Sequence, residues 1–256
     1  MSTTVNEREL ENRVKEIYRD VADEPDEEFH FEMGRGLAER LGYSPTELDR
    51  IPQEAVDSFA GVGYHVDLAD LTEGDRVLDL GSGSGTDAFV AALRVGDGGH
   101  VIGLDMTDEQ LAKSRRLRDE AGVPNVSFEK GYIEELPFED GTIDAVLSNG
   151  VINLSAKKER VFEEVSRVLV PGGRLAISDI ISERQMPERI KGDADLWAAC
   201  IGGAMQIDDY TDVIEMPGFA DVEVRENPQY EFVSERAQGA CQAYGVKSIS
   251  LRARNR

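Results

Sequence analysis

The chain has 256 residues, 40% of them hydrophobic, enough to bury a sizeable core, and its 51 acidic against 28 basic side chains give a formal net charge of −23. That balance excludes a nucleic-acid backbone as partner, because binding one needs a basic footprint. No apolar run reaches membrane-spanning length and no apolar signal core opens the chain, so a soluble cytoplasmic protein with no membrane partner is expected.

The acids are spread along the whole sequence and arginine outnumbers lysine. Dense surface carboxylate of this kind suits high salt, where counter-ions screen its self-repulsion, so a halophilic protein is expected. Cys200 and Cys241 are too few for a disulfide framework and stand in no metal-ligating spacing, so no metal site is expected.

Residues 1–72 read as an N-terminal helical extension or cap. Val14, Ile17, Tyr18 and Val21 share one stripe at helical spacing. The acidic run Asp23–Glu28 interrupts it, and a second helix is predicted over Phe31–Leu41, with His30 unassigned beside it. Ser44 and Pro45 are a cap and first residue for a short helix. Ala60-Gly-Val-Gly-Tyr-His65 is a loop.

From residue 73 to 256 strands and helices alternate. Strands are predicted at Arg76–Leu80, His100–Leu104, Val126–Glu129, Ile143–Ser148 and Arg174–Ile180, with helices at Thr86–Val95, Asp108–Ala121 and Ala156–Leu169. Thr107 and Gln110 have the spacing of a capping box for the second helix. Pro171-Gly-Gly173 stops the third. The pattern predicts an α/β fold, a doubly wound and mostly parallel seven-stranded sheet. A helical insertion is expected at about 185–216, followed by strands at Asp221–Arg225 and Val246–Arg252 with a hairpin-like connection.

The chemistry concentrates in Val77-Leu-Asp-Leu-Gly-Ser-Gly-Ser-Gly-Thr-Asp87, a strand that turns on Gly81, Gly83 and Gly85 into a helix. Glycines admit a ligand close to the backbone, and the helix start adds free N–H groups. Asp105, at the tip of the second strand, is placed to accept hydrogen bonds from ribose hydroxyls. Dinucleotide sites favour G-x-G-x-x-G; here the third glycine is one residue early and Asp79 precedes the turn. An acid there would repel a pyrophosphate but suits an ammonium, which favours S-adenosylmethionine over a dinucleotide.

These residues resemble the first motif of class I S-adenosylmethionine-dependent methyltransferases, with their Rossmann-like fold. Gly131-Tyr-Ile-Glu-Glu-Leu-Pro-Phe138 is similar to their adenine-side loop, and Val168-Leu-Val-Pro-Gly-Gly-Arg-Leu175 to the turn before strand five. Within that class, Lys130-Gly-Tyr-Ile-Glu134, Ser148-Asn-Gly-Val-Ile-Asn-Leu154, Cys200-Ile-Gly-Gly-Ala204 and Tyr43–Pro52 resemble the arsenite methyltransferase subgroup. The resemblance implies that Asp79 and the backbone of Gly81, Ser82 and Gly83 hold the methionine end, with Gly85 completing the turn, and that Asp105 holds the ribose. Met106 would pack on the adenine, Tyr132, Ile133 and Glu134 would meet its edge, and Asn149 would sit beneath the reacting centre. For Met106 and Ile133 ordinary core packing is an equal alternative.

The resemblance fails at the acceptor. The subgroup binds arsenite with several cysteine thiolates, one in a Gly-Cys-Gly loop and one before Val-Ile-Asn-Leu. Here those positions are Val62 and Gly150, and Cys200 alone matches. The expected function is therefore methyl transfer to a small-molecule acceptor other than thiolate-bound arsenite. Arsenite methylation with external thiols and a non-catalytic cofactor-binding sensor are the alternatives. His65 is the candidate general base, and Cys200 and Asn149 complete the candidate catalytic set. The acceptor and the oligomeric state stay open.

Overall fold

In the computed structural model the strand that carries the glycine turn, β1 (Arg76–Leu80), is buried from Val77 onward, as an uninterrupted apolar run in a parallel sheet must be. The structure describes residues 6–23, 29, 31–193, 196–197 and 200–256; of the expected acidic break Asp23–Glu28, Asp23 ends the first helix, and residues 24–28 and His30 lie outside the described residues.

Four further strands run parallel with β1: β2 (His100–Asp105), β3 (Val126–Lys130), β4 (Ile143–Asn149) and β5 (Leu169–Ser182). Their order is β3-β2-β1-β4-β5, so the winding reverses between β1 and β4. In open α/β sheets ligands bind where that reversal leaves a crevice beyond the strand ends. The register makes those ends level, with Leu80 opposite both Leu104 and Ser148.

β6 (Met205–Gln206) adds a two-residue parallel pairing to the end of β5. β7 (Phe219–Glu226) and β8 (Lys247–Asn255) complete the sheet, β8 lying antiparallel between β5 and β7. Their expected hairpin is corrected: the helix Glu235–Tyr244 occupies the connection. The start of the fifth expected strand, Arg174–Ile180, also shifts. β5 begins at Leu169, before Pro171, and its pairing with β4 is irregular between Ile143 and Ala145.

The helices follow from their apolar faces. α1 (Glu7–Asp23), α2 (Gly34–Leu41), α3 (Pro45–Leu48) and α4 (Gln53–Asp57) form the N-terminal part. α5 (Thr86–Val95) and α6 (Asp108–Ala121) span the predicted ranges, and α7 (Lys158–Val168) starts two residues late. Leu48, Ala55, Val56 and Phe59 share one buried cluster with Phe89 and Val90 of α5, so the extension packs into the core of the sheet. In the expected insertion, α8 (Glu188–Lys191) is short. α9 (Ile207–Glu215) is an ordinary sheet-covering helix, its Tyr210 ring edge-on to Phe162 of α7 at 5.7 Å. The helix of the last connection is α10 (Glu235–Tyr244). No described helix is long and apolar enough to cross a membrane.

Candidate cofactor and acceptor site

The glycine turn is tied to β2. Gly81 and Ser82 donate their N–H groups to the Leu104 carbonyl, at 2.7 and 3.0 Å, and Gly83 donates to Asp105 Oδ2 at 2.9 Å. This corrects the expectation that these N–H groups are free to hold a ligand. Gly81 has φ +66° and a Cβ there would lie 2.4 Å from Val151, so the turn closes only on glycine. Gly85 is corrected from ligand contact to packing: it does not line the cavity, and a Cβ on it would meet Phe128 at 2.7 Å.

Above the turn lies a cavity of about 530 Å³, within the range of small-molecule sites. Asp79, Gly81, Ser82, Gly83, Asp105 and Met106 line it, as do Tyr132, Ile133, Glu134 and Asn149. Asp79 is 2% exposed, and its Oδ2 has no hydrogen-bond partner among the described residues. Burial, then the nearby Asp87 and Asp105 carboxylates, push its pKa well above the usual range. Asp105 is also raised by burial, against the stabilising backbone N–H groups of Thr107 and Gly83.

The Asp105 carboxylate, not the Thr107 side chain, engages the start of α6: Thr107 N donates to Asp105 Oδ1 at 2.8 Å, and Thr107 makes no side-chain cap bond. The capping-box reading of Gln110 is corrected with it. Gln110 accepts from Ser84 Oγ at 2.7 Å and donates to the Tyr18 carbonyl at 2.7 Å, which joins the turn to α1.

α1 forms one wall of the cavity through Leu10, Val14, Tyr18 and Val21. Leu10 and Val14 pack on Trp197, with Met106 and Leu154 alongside. Polar clasps hold the helix there. Tyr132 Oη donates to Glu11 at 2.8 Å, Lys15 donates to Tyr132 Oη at 2.9 Å, and Lys157 pairs with Glu7 at 2.7 Å.

Asn149 lines the cavity with its amide fully engaged. Its Oδ1 accepts from Val62 N at 2.8 Å, and its Nδ2 donates to Gly63 O and Asp87 Oδ2, both at 3.1 Å. It fixes the loop at 61–63. His65 is corrected as a base: its side chain is fully buried, it does not line the cavity, and its Nδ1 lies 3.4 Å from Ser178 Oγ. Burial lowers its pKa, and its Nε2 has no hydrogen-bond partner among the described residues.

Cys200 does not line the cavity either, and burial followed by the field of Asp179 pushes its thiol up to about 12. Its Sγ lies 3.7 Å from the Gly150 carbonyl oxygen. A Cβ on Gly150 would in turn lie 3.2 Å from Val62 Cγ1. Val62, Gly150 and Cys200 thus converge from three distant parts of the chain, with one sulfur among them. No group of three or more His, Cys, Asp or Glu among the described residues is arranged to hold a metal ion.

A family model described as a methyltransferase domain matches residues 71–218, from the turn before β1 to the residue before β7. The chain belongs to that methyltransferase family. It is 40% identical over 199 residues to an arsenite methyltransferase of Halobacterium salinarum, covering 77% of this chain and 51% of that protein. It is 36% identical over 207 residues to the arsenite methyltransferase of Mus musculus, covering 75% of this chain and 54% of that one. The chain therefore spans about half the length of these curated relatives. Among solved structures, an arsenic(III) S-adenosylmethionine methyltransferase from Chlamydomonas reinhardtii superposes with a TM-score of 0.64 at 33% identity, covering 88% of this chain and 74% of that one.

The family's cofactor is S-adenosylmethionine, and the residues fit it. The buried Asp79 Oδ2 and Ser82 Oγ have no hydrogen-bond partner among the described residues, and both residues line the cavity. Sequence reasoning missed Asp87, Gln110, Ser84 and the α1 face. Asp87 stood inside the glycine motif and carried a signal, an acid in a helix otherwise almost wholly apolar on its buried side. Tyr18 carried none, because a cavity-lining stripe and a core-packing stripe have the same period.

Proposed function

We propose that the protein transfers a methyl group from S-adenosylmethionine to a small-molecule acceptor that is not held by a set of protein thiolates. The observation that carries this reading is the convergence of Val62, Gly150 and Cys200, which leaves one thiol, in its protonated form, where a soft metalloid would need several sulfur ligands. When bound, the cofactor supplies an already activated methyl group on a sulfonium. The protein's own part is then to hold and align. Asp79 takes the positive methionine end, Asp105 keeps the turn closed while facing the ribose side, and α1 with Leu154 excludes water from the acceptor end.

Acceptor-side walls are apolar: Leu10, Val14, Phe59, Val151 and Leu154 line the same cavity, which suits an acceptor with substantial hydrocarbon surface. A screen of labelled methyl transfer across phenolic, quinol, amine and thiol acceptors tests the reading. Product with any of them, retained in Cys200→Ser, supports it. A second reading keeps arsenite as acceptor with external thiol in place of the missing cysteines, and the 40% identity to an arsenite methyltransferase together with the retained Cys200 favours it.

A further inference from the structure

Lys158 opens α7 with its side chain turned inward, 5% exposed. Its ammonium donates to the Asn153 carbonyl at 2.9 Å and to the Ser155 carbonyl at 2.7 Å, one on either side of Leu154. The Trp197 ring covers it, with Nζ 4.8 Å from the ring centroid, a cation–π contact. The Asp179 and Glu134 carboxylates act on Lys158 through their field alone, which does not offset burial, and its pKa falls to about 8. At neutral pH the group is thus a buried cation held by neutral partners. An apolar side chain of similar length would fill that space without burying a charge, so stability alone does not account for a lysine there.

The chain around the ring is shaped to receive it. Trp197 Nε1 donates to the Lys191 carbonyl at 2.5 Å, and a Cβ on Gly202 would strike the indole. A Cβ on Gly203 would strike the Asn153 carbonyl, and Asn153 Nδ2 donates to the Cys200 carbonyl at 3.1 Å. The Gly202-Gly203 pair therefore lets the chain after Cys200 close around Trp197 and the turn Ile152–Leu154. Trp197 does not itself line the cavity. It belongs to one apolar cluster with residues that do: Leu10 and Val14 of α1, Met106 after β2, and Leu154.

We propose that Lys158 is a positioning residue for the cavity: its ammonium, clamped by the Asn153 and Ser155 carbonyls, seats the Trp197 ring, and the ring sets the apolar wall that a bound cofactor meets. The inference deepens the S-adenosylmethionine reading and rests on it for what fills the cavity. One ammonium thereby ties α7, the turn after β4 and the segment before β6, and α1 rests on the ring they hold.

Trp197 is the only tryptophan in the chain, so its fluorescence reports on this seat. Acrylamide quenching, Tm and calorimetric titration with S-adenosylmethionine, all on the full chain in molar KCl, test the proposal in the unmodified protein, Lys158→Met and Lys158→Arg. Lys158→Met is expected to raise quenching about threefold or more and to keep Tm within about 4 °C, because a local contact is lost while a buried charge is removed. Its affinity for S-adenosylmethionine is expected to fall about fivefold or more. Lys158→Arg keeps a cation and its donors, so quenching is expected within about twofold and affinity within about threefold of the unmodified protein. Unchanged quenching in Lys158→Met overturns the proposal, and so does unchanged affinity with a loosened ring. A Tm fall of more than about 10 °C in Lys158→Met that Lys158→Arg does not rescue also overturns it, since a merely structural lysine gives that result. Failure of the unmodified protein to bind S-adenosylmethionine overturns the cofactor reading instead, and quenching, which needs no ligand, still decides whether Lys158 seats the ring.

Discussion

Val62 fills the space above Gly150: a Cβ built on that glycine would lie 3.2 Å from Val62 Cγ1, and Cys200 Sγ approaches the same residue's carbonyl oxygen at 3.7 Å. The three positions are far apart in sequence and adjacent in space because the loop at 61–63, the end of β4 and the segment before β6 meet there. Two substitutions, Val62→Cys and Gly150→Cys, place three thiols in that corner. The double variant is expected to retain about one arsenic per chain after incubation with As(III) and desalting, where the unmodified protein retains none, and adding Cys200→Ser to release it. Gly150 has φ +73°, so a cysteine there costs about 1–2 kcal/mol of stability, read as a lower Tm.

Asp79 is the group proposed to meet the positive end of the cofactor. Its folded pKa lies above its unfolded one, through burial first and the neighbouring acids second, so the stability of its protonated form is complete below pH ~4 and is lost as pH rises through the folded value. Asp79→Asn is expected to stabilise the cofactor-free protein at neutral pH by about 1–3 kcal/mol. The same variant is expected to bind S-adenosylmethionine about tenfold or more weakly, because the counter-charge is gone. Thermal shift with and without cofactor reads both effects, which have opposite signs.

The glycines of the turn are not equivalent. Gly81→Ala meets Val151 at 2.4 Å and also takes φ +66°, whereas Gly83→Ala meets only Gln110, at 3.7 Å, and has the backbone cost at φ +52° alone. Denaturant melts are expected to show a loss of about 1–2 kcal/mol for Gly83→Ala and a larger one for Gly81→Ala, with cofactor binding lost in the latter.

How much of this was legible in the sequence depends on the range of the interactions. α5 and α6 were readable to the residue because each follows the end of a strand at short range: the glycine turn leads into Thr86, and the tip of β2 into Asp108. The places of Asp79 and Asp105 in the cavity wall were readable because strand ends and the glycine motif fix them. His65 was not. A glycine loop suggests exposure, yet β8, added almost two hundred residues later, brings Ser250 and Ser248 over that loop and buries it. Asn149 was placed at the right strand tip, but its engagement with Val62, Gly63 and Asp87 is a long-range fact that no local pattern encodes.

Asp179 of β5 is fully buried, accepting from Tyr210 Oη at 2.6 Å and from Ile180 N at 2.8 Å. Burial outweighs those donors and lifts it to about 6. Its protonated form stabilises the fold below pH ~4, and that contribution disappears as pH rises through about 6. The Tm of Asp179→Asn, relative to the unmodified protein, is therefore expected to increase between pH 4 and pH 7. A constant difference would contradict the buried charge.

A net charge of −23 destabilises the compact state at low ionic strength. The Tm is expected to rise steadily from ~0.05 M to molar KCl as the Debye length shrinks from above 10 Å to about 3 Å. A flat profile would contradict the expected adaptation to salt.

The central claim is that the methyl donor site is intact while the thiolate acceptor site is gone. Its most direct test is to incubate the purified chain with S-adenosylmethionine, As(III) and glutathione and to separate methylated arsenic by chromatography with mass detection. The account predicts no methylated arsenic above the enzyme-free control, in the same preparation that binds S-adenosylmethionine. Methylarsenic formed at a rate that Cys200→Ser abolishes would contradict it.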